Sequence, residues 1–249
     1  MTAPQPRAPG RASSAPMTIA VIIPVLNEAR GIDQTLAHTA TLGFDEVIIV
    51  DGGSADETCA IVDSYVGRSS TAAPMRLLTA PRGRARQLNT GAAGTQCEVL
   101  LFLHADTRLP AHARQAISTA LADTTCVGGR FDVRFDSPRR IARLVGHMMN
   151  LRSRWSGIAT GDQALFVRRN IFEQVGRFAE IPLMEDIEFS RRLKRAGRLV
   201  PLPDQVVTAF RRWEQNGPLR TILLMWTLRF LYWIGISPYR LQHFYSIVR

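Results

Sequence analysis

Val99-Leu100-Leu101-Phe102-Leu103 is an unbroken apolar run that stops abruptly at His104-Ala105-Asp106-Thr107. A run of this kind fits a strand buried on both faces, as in the middle of a parallel sheet covered by helices. His104 and Asp106 can both ligate a divalent metal, and in an extended chain they point to the same side. Ligands of open α/β sheets bind beyond the carboxyl ends of the strands, so this polar pair sits where chemistry is expected. A plainer role also fits: Asp106 or Thr107 could cap the helix that follows Pro110.

The rest of the chain supplies partners for that strand. Ile19 to Ile23 reads as a buried strand ending at Pro24, followed by Val25-Leu26-Asn27-Glu28. The glycines that let a dinucleotide pyrophosphate approach a first strand-helix turn are missing there. A helix from about Ala29 to Leu42 follows, then a strand from Glu46 to Val50. That strand ends in Asp51-Gly52-Gly53-Ser54-Ala55-Asp56, a turn whose backbone a ligand can approach closely. Ser54 or Asp56 also suits an Asx turn or cap before a helix over Asp56 to Tyr65. Met75 to Thr79 is a third strand, and Arg82-Gly83-Arg84-Ala85-Arg86 opens the next helix. Arginines are disfavoured at a helix N-terminus unless an anion offsets them, which suits a phosphate-bearing ligand.

Beyond the helix expected from Pro110 to Ala122, Val127 to Phe135 alternates apolar and charged residues. This predicts an edge or antiparallel strand with one wet face, hence a mixed sheet. The basic segment Ser137 to Trp155 predicts a helix lying across the open end of the sheet. Gly161-Asp162-Gln163 leads into a strand over Ala164 to Val167 and a short helix ending at Gly176-Arg177-Phe178. Glu185-Asp186 begins a helix that stops at Gly197, and acidic residues in a first turn already suit the dipole. A short strand is expected from Gln205 to Phe210, before Arg211-Arg212-Trp213.

The formal charge of +10 in 249 residues, carried almost wholly by arginine because Lys194 is the sole lysine, calls for an anionic partner. Cys59, Cys97 and Cys126 lack zinc-type spacing and read as buried thiols of a reducing compartment. Residues 1–17 are rich in Pro, Ala, Arg and Ser with no apolar h-region, which predicts a disordered tail and a cytoplasmic protein. Residues 18–216 read as one α/β domain, and 217–249 as an apolar helical extension. Within it, Leu219 to Ile236 is interrupted by Arg220 and Arg229, nine positions apart and so on opposite sides of a helix. A spanning helix with a near-central arginine is costly. Trp226, Tyr232 and Trp233 suit the inner face of a membrane, and packing on the domain or on a second copy is equally open.

Taken in order, these motifs resemble the family-2 glycosyltransferases of the GT-A fold. The resemblance covers Ile19 to Trp213, and among smaller bacterial members it leans towards the arsenosugar-biosynthesis and radical-SAM-associated type. It implies a Rossmann-like three-layer α/β/α domain with a mixed, mostly parallel sheet. It also implies metal-dependent, inverting transfer of one sugar from a UDP- or GDP-sugar to a small-molecule or lipid acceptor. Pro24, Asn27 and Glu28 match the opening turn; Asp51 and Gly53 match the nucleotide turn, whose aspartate contacts the base. His104-Ala105-Asp106 stands in the place of the family's D-x-D motif, so Asp106 and His104 become the expected ligands of Mn²⁺ or Mg²⁺. Arg84, Asn89, Ala105, Arg212 and Trp213 complete the expected donor site. Glu185 and Asp186 match the acceptor-side helix, with Asp186 as base and Gly161, Asp162, Gln163 and Glu185 facing the acceptor.

The sequence departs from the family in two places: histidine replaces the first aspartate of D-x-D, and Ala209 stands where processive members carry glutamine. A sugar nucleotidyltransferase would need a glycine-rich basic loop where Pro24 to Glu28 stands. A non-catalytic protein binding membrane or nucleic acid would explain the charge but not the aspartates at element ends. Nucleic acid is therefore not an expected partner.

Overall fold

The computed structural model describes residues 16–67 and 73–246. Most of the expected N-terminal tail lies outside those residues. The first strands are β1 (Ile19–Val25), β2 (Glu46–Asp51), β3 (Met75–Thr79), β4 (Val99–Phe102) and the two-residue β5 (Thr107–Arg108). They are followed by β6 (Cys126–Phe135), β7 (Phe166–Arg168) and β8 (Arg198–Thr208). All eight join one sheet in the order β3-β2-β1-β4-β7-β6-β8-β5. The β3-β2-β1-β4 half is parallel, whereas β7 is antiparallel to both β4 and β6. The sheet is thus mixed, as expected.

Strand alternation divides the core into two layers. Val21, Ile49 and Leu101 face one layer, with α1 (Ile32–Thr39), α2 (Thr58–Asp63) and α4 (Ala113–Leu121). Ile22, Ile48, Leu100 and Phe102 face the other, with α3 (Arg84–Ala93), α6 (Arg169–Gln174) and α7 (Glu185–Ala196). Fully burying each such aliphatic side chain contributes about 1.5–3 kcal/mol, which holds the strand ends in register. Pro24 is tolerated inside β1 because alternate backbone groups face alternate neighbours. Ile22 bonds toward β4 and Val25 toward β2, so Pro24 faces the β4 side, where that strand has already ended.

Three expectations change. First, β6 is neither an edge nor wet on one face. It lies between β7 and β8 with Arg134 as its one exposed residue. Its remaining charges are internal: Arg130 Nη1 donates to Asp132 Oδ1 at 2.9 Å, and Arg154 reaches Asp132 Oδ2 at 2.6 Å. Second, the strand expected from Gln205 begins at Arg198, because parallel pairing with β6 extends it. Third, β4 does not run on into His104. Thr107 N donates to His104 O at 3.1 Å and closes a turn, so strand alternation no longer aligns His104 with Asp106.

The basic segment forms α5 (Arg140–Ser156) against β6, where the Asn150 side chain exchanges both hydrogen bonds with the Val133 backbone. The chain then forms α8 (Arg211–Asn216), α9 (Pro218–Trp233) and α10 (Pro238–Ser246). Among the described residues no helix is long and apolar enough to cross a membrane.

Candidate active site

The parallel strands β1, β2 and β4 deliver their carboxyl ends to one edge of the sheet. At the first two, a pair of turns is laced together. Asn27, at φ +55°, donates its N–H to Ser54 Oγ at 2.9 Å and accepts from Ala55 N at 2.8 Å. Glu28 N donates to Thr58 Oγ1, and Ala29 N to Asp56 Oδ2. Asp51 sits within this lacing, buried, accepting from Gly53 N at 2.8 Å and from Ser54 N. Burial alone would raise its pKa; hydrogen bonds from Ser54, Gly53 and Cys59 outweigh that and hold it below the ordinary carboxylate value. Gly53 has φ +92°, a conformation that a side chain would strain. Beneath both turns the buried Gln87 carboxamide donates to Val25 O and Val50 O, tying the two strand ends together. Nothing in the sequence marked Gln87 out, because a glutamine on a helix face ordinarily meets water.

At the end of β4 lies a pocket whose lining includes Arg84, Phe102, Leu103, Thr160, Gly161, Glu185 and Asp186. Glu185 and Asp186 begin α7. Asp186 Oδ2 accepts from Gly161 N at 2.9 Å and its Oδ1 from Ile187 N at 2.7 Å, which fixes the carboxylate. Glu185 is buried and pairs with Arg84 Nε at 3.2 Å, so the arginine at the start of α3 already has one anionic partner. The His104 ring holds Asp162 through Nδ1 at 3.0 Å, and its Nε2 is buried without a hydrogen bond among the described residues. Gly161 is wedged beside both: a Cβ there would lie 2.3 Å from His104 Nε2 and 2.5 Å from Arg84 Nη2.

Some expected site residues are committed elsewhere. Gln163 is fully buried, and its Oε1 accepts from Thr160 N to close the 3-10 turn Gly161–Gln163. It shapes that turn instead of facing an acceptor. The Asn89 carboxamide is exchanged with the backbone of Phe178, bracing the turn before α7. Ala105 is buried, with its carbonyl accepting from Thr35 Oγ1. Trp213 packs on Phe210 and Phe135. The side chain of Arg212 lies outside the described residues. Arg152, which sequence reasoning passed over among other arginines, emerges from α5 near Asp186 and Asp162. Burial depresses its pKa, and those two carboxylates oppose the shift. Its Nε and Nη2 are buried without a hydrogen bond among the described residues.

For a metal, Asp106 is the residue that fits. Its carboxylate is exposed beyond β4, with the Thr107 hydroxyl 3.5 Å away. His104 fits poorly: one ring nitrogen is taken by Asp162, and the other packs beside Gly161 and the Arg84 guanidinium. Among the described residues no three His, Cys, Asp or Glu side chains group as a metal site.

Acidic turns at the ends of β1, β2 and β4, an acidic helix start opposite them and a mixed sheet between two helical layers define the GT-A form of the α/β sandwich. Residues 20–179 match the family described as Glycosyl transferase family 2, and the chain belongs to that family. A curated relative is a probable glycosyltransferase, YdaM, from Bacillus subtilis (strain 168). It is 26% identical over 218 residues, which cover 80% of this chain and 50% of the relative. Among solved structures, S. aureus TarS aligns with a TM-score of 0.62 at 18% identity, over 78% of this chain and 37% of that one. The mannosyltransferase PcManGT of Pyrobaculum calidifontis, in complex with GDP-Man and Mn²⁺, aligns at 0.60 and 22% identity, over 81% and 60%. These likenesses are of fold. The chain spans half the length of YdaM and less than two thirds of either solved chain.

Proposed function

We propose that the chain transfers a single sugar from a UDP- or GDP-sugar to a hydroxyl of a small-molecule or lipid acceptor, with inversion at the anomeric carbon. The observation that carries this reading is the pocket at the end of β4, lined by both Arg84 and the fixed carboxylate of Asp186. Support for the donor class comes from related folds: TarS has been solved with UDP and with UDP-GlcNAc, and PcManGT with GDP-Man and Mn²⁺.

In this reading Asp51 holds the base within the laced turns, with Asn27, Glu28 and Gly53 around it. Asp106 holds Mn²⁺ or Mg²⁺ together with the donor diphosphate. The bound ion would supply neutralisation of the charge developing on the leaving diphosphate. Arg84 adds a fixed positive charge on that side. Asp186 accepts the acceptor hydroxyl proton while the new glycosidic C–O bond forms and the bond from the anomeric carbon to phosphate breaks. Its oxygens are oriented by Gly161 N and Ile187 N, so the base is positioned before substrate arrives. Asp162, paired with His104, binds an acceptor hydroxyl in this reading.

The test is release of nucleoside diphosphate from a panel of UDP- and GDP-sugars, with product configuration read by NMR. Asp186→Asn keeps the shape of the side chain and removes its basicity. Turnover should fall about 10²–10⁴-fold, with donor affinity near wild type. Retention of the donor's configuration, or near-normal turnover in Asp186→Asn, rules the mechanism out.

A further inference from the structure

The helices beside the acceptor side of the site present apolar stripes outward. On α5, Leu144, Met148, Leu151 and Trp155 recur at helical spacing, with Trp155 92% exposed. On α9, Leu219, Leu223, Trp226, Phe230 and Trp233 do the same, each 57–71% exposed. The two stripes are neighbours, since Ile141 and Met149 of α5 and Ile222 of α9 pack on one apolar cluster. Large apolar side chains in contiguous stripes mark a contact surface.

Charge identifies the occupant. No acidic residue lies between Asp136 and Asp162, the stretch containing α5, and none follows Glu214, so α9 and α10 have none. Arg140, Arg143, Arg220 and Arg240 are exposed on these elements. A second copy of this face would set arginine against arginine, and the Glu214 carboxylate between α5 and α9 is already paired with Arg139 Nε at 3.4 Å, so the contact is net repulsive. We propose that this face docks on an anionic lipid bilayer, with the Trp and Phe rings at headgroup depth and the arginines on lipid phosphates. The helix lies in the interface and does not cross it.

Docking places the acceptor side close to lipid. Met184 and Ile187, which bracket Glu185 and Asp186, share one buried cluster with Leu228 of α9 and Leu241 of α10. Arg191 of α7 lies over the Tyr232 ring at 5.2 Å. An acceptor presented from the bilayer therefore meets the start of α7. The docking itself does not depend on the transfer reaction.

The experiment uses the purified full chain with two kinds of vesicle: phosphatidylcholine alone, and phosphatidylcholine mixed equally with phosphatidylglycerol. Co-flotation and tryptophan emission are recorded, with sedimentation velocity run in parallel without lipid. The expected result is binding to the anionic vesicles with a blue-shifted emission, weakened by salt, and little binding to the neutral ones. Each arginine near an anionic surface is worth about fivefold in partition. Arg140→Ser, Arg143→Ser and Arg220→Ser together should thus weaken binding on the order of a hundredfold. A second variant, Trp155→Ser with Trp226→Ser and Trp233→Ser, should lose the blue shift while keeping wild-type circular dichroism and donor binding. Equal binding to both vesicles, no binding to either, or a stable dimer whose formation those tryptophan changes abolish would overturn the proposal.

Discussion

Gly161 is the residue on which the geometry of the pocket turns. Its N–H fixes Asp186, and its missing side chain leaves room for His104 and Arg84. In Gly161→Ala the Arg84 guanidinium can swing away, whereas the His104 ring moves only by releasing Asp162. Overpacking of this kind costs about 1–3 kcal/mol. Turnover should fall by at least about tenfold, as expected for a small misplacement near reacting groups. Thermal unfolding and turnover measured on the same preparation check this, and a variant with lowered stability but normal turnover would count against the role given to Gly161. Asp51 gives a pH prediction. Its native pKa is depressed, so its stabilising contribution is complete above the unfolded value of about 3.9 and is lost as pH falls through the native value. The stability gap between wild type and Asp51→Asn should therefore be constant at neutral pH and close below about pH 4. A gap that widens on acidification contradicts the assignment. The sequence exposed Asp51 because a glycine turn followed it. It could not expose Gln87, whose partners Val25 O and Val50 O come together only in the folded sheet.

At the scale of elements, the parallel half of the sheet was legible because unbroken apolar runs allow few alternatives. β6 was not. Val-Gly-Gly-Arg-Phe-Asp-Val-Arg-Phe has the alternation of a half-wet strand, yet Arg130 and Asp132, two positions apart, share a face and neutralise each other indoors. Periodicity records which residues share a face, not whether that face meets water or another charge. The buried pair makes a sharp prediction. Asp132→Ala strands the Arg130 guanidinium, 96% buried, with only main-chain contact, and breaking such a pair costs about 3–5 kcal/mol. Arg130→Met with Asp132→Leu should recover most of that loss, since removing both charges removes the penalty. Chemical denaturation of wild type, single and double variants measures it. Additive losses in the double variant would show that the two charges act separately. The turn after β4 failed differently. His104 and Asp106 were paired on the assumption of an extended chain, and one backbone bond from Thr107 to His104 redirects them.

Over the whole molecule, the donor and acceptor sides share the layer in which α7 packs, but the start of α7 also leans on the C-terminal helices, which makes the two sides separable. The turns after β1 and β2 stand on the two layers of the sheet, built from Val21, Ile49, Ile22 and Val50 among others, with no residue of α9 or α10. The start of α7 leans on the C-terminal helices through Met184, Ile187, Leu228 and Leu241. The apolar character of the C-terminal stretch was plain in the sequence, but its direction was not. Leu228 turns inward at 1% exposure, while Trp226 and Phe230 on either side turn outward. Leu228→Ala therefore acts as a remote probe of Asp186. Truncating a buried leucine costs about 2–5 kcal/mol, here taken from the cluster that bears on Met184 and Ile187. Turnover should fall because Asp186 loses its fixed orientation to Gly161 N, while nucleoside-diphosphate affinity stays within about threefold of wild type, the lost contact being common only to the acceptor side. Single-turnover kinetics and calorimetric titration of UDP and GDP separate the two. If donor affinity falls in step with turnover, the C-terminal helices support the whole site and the division into two halves is wrong.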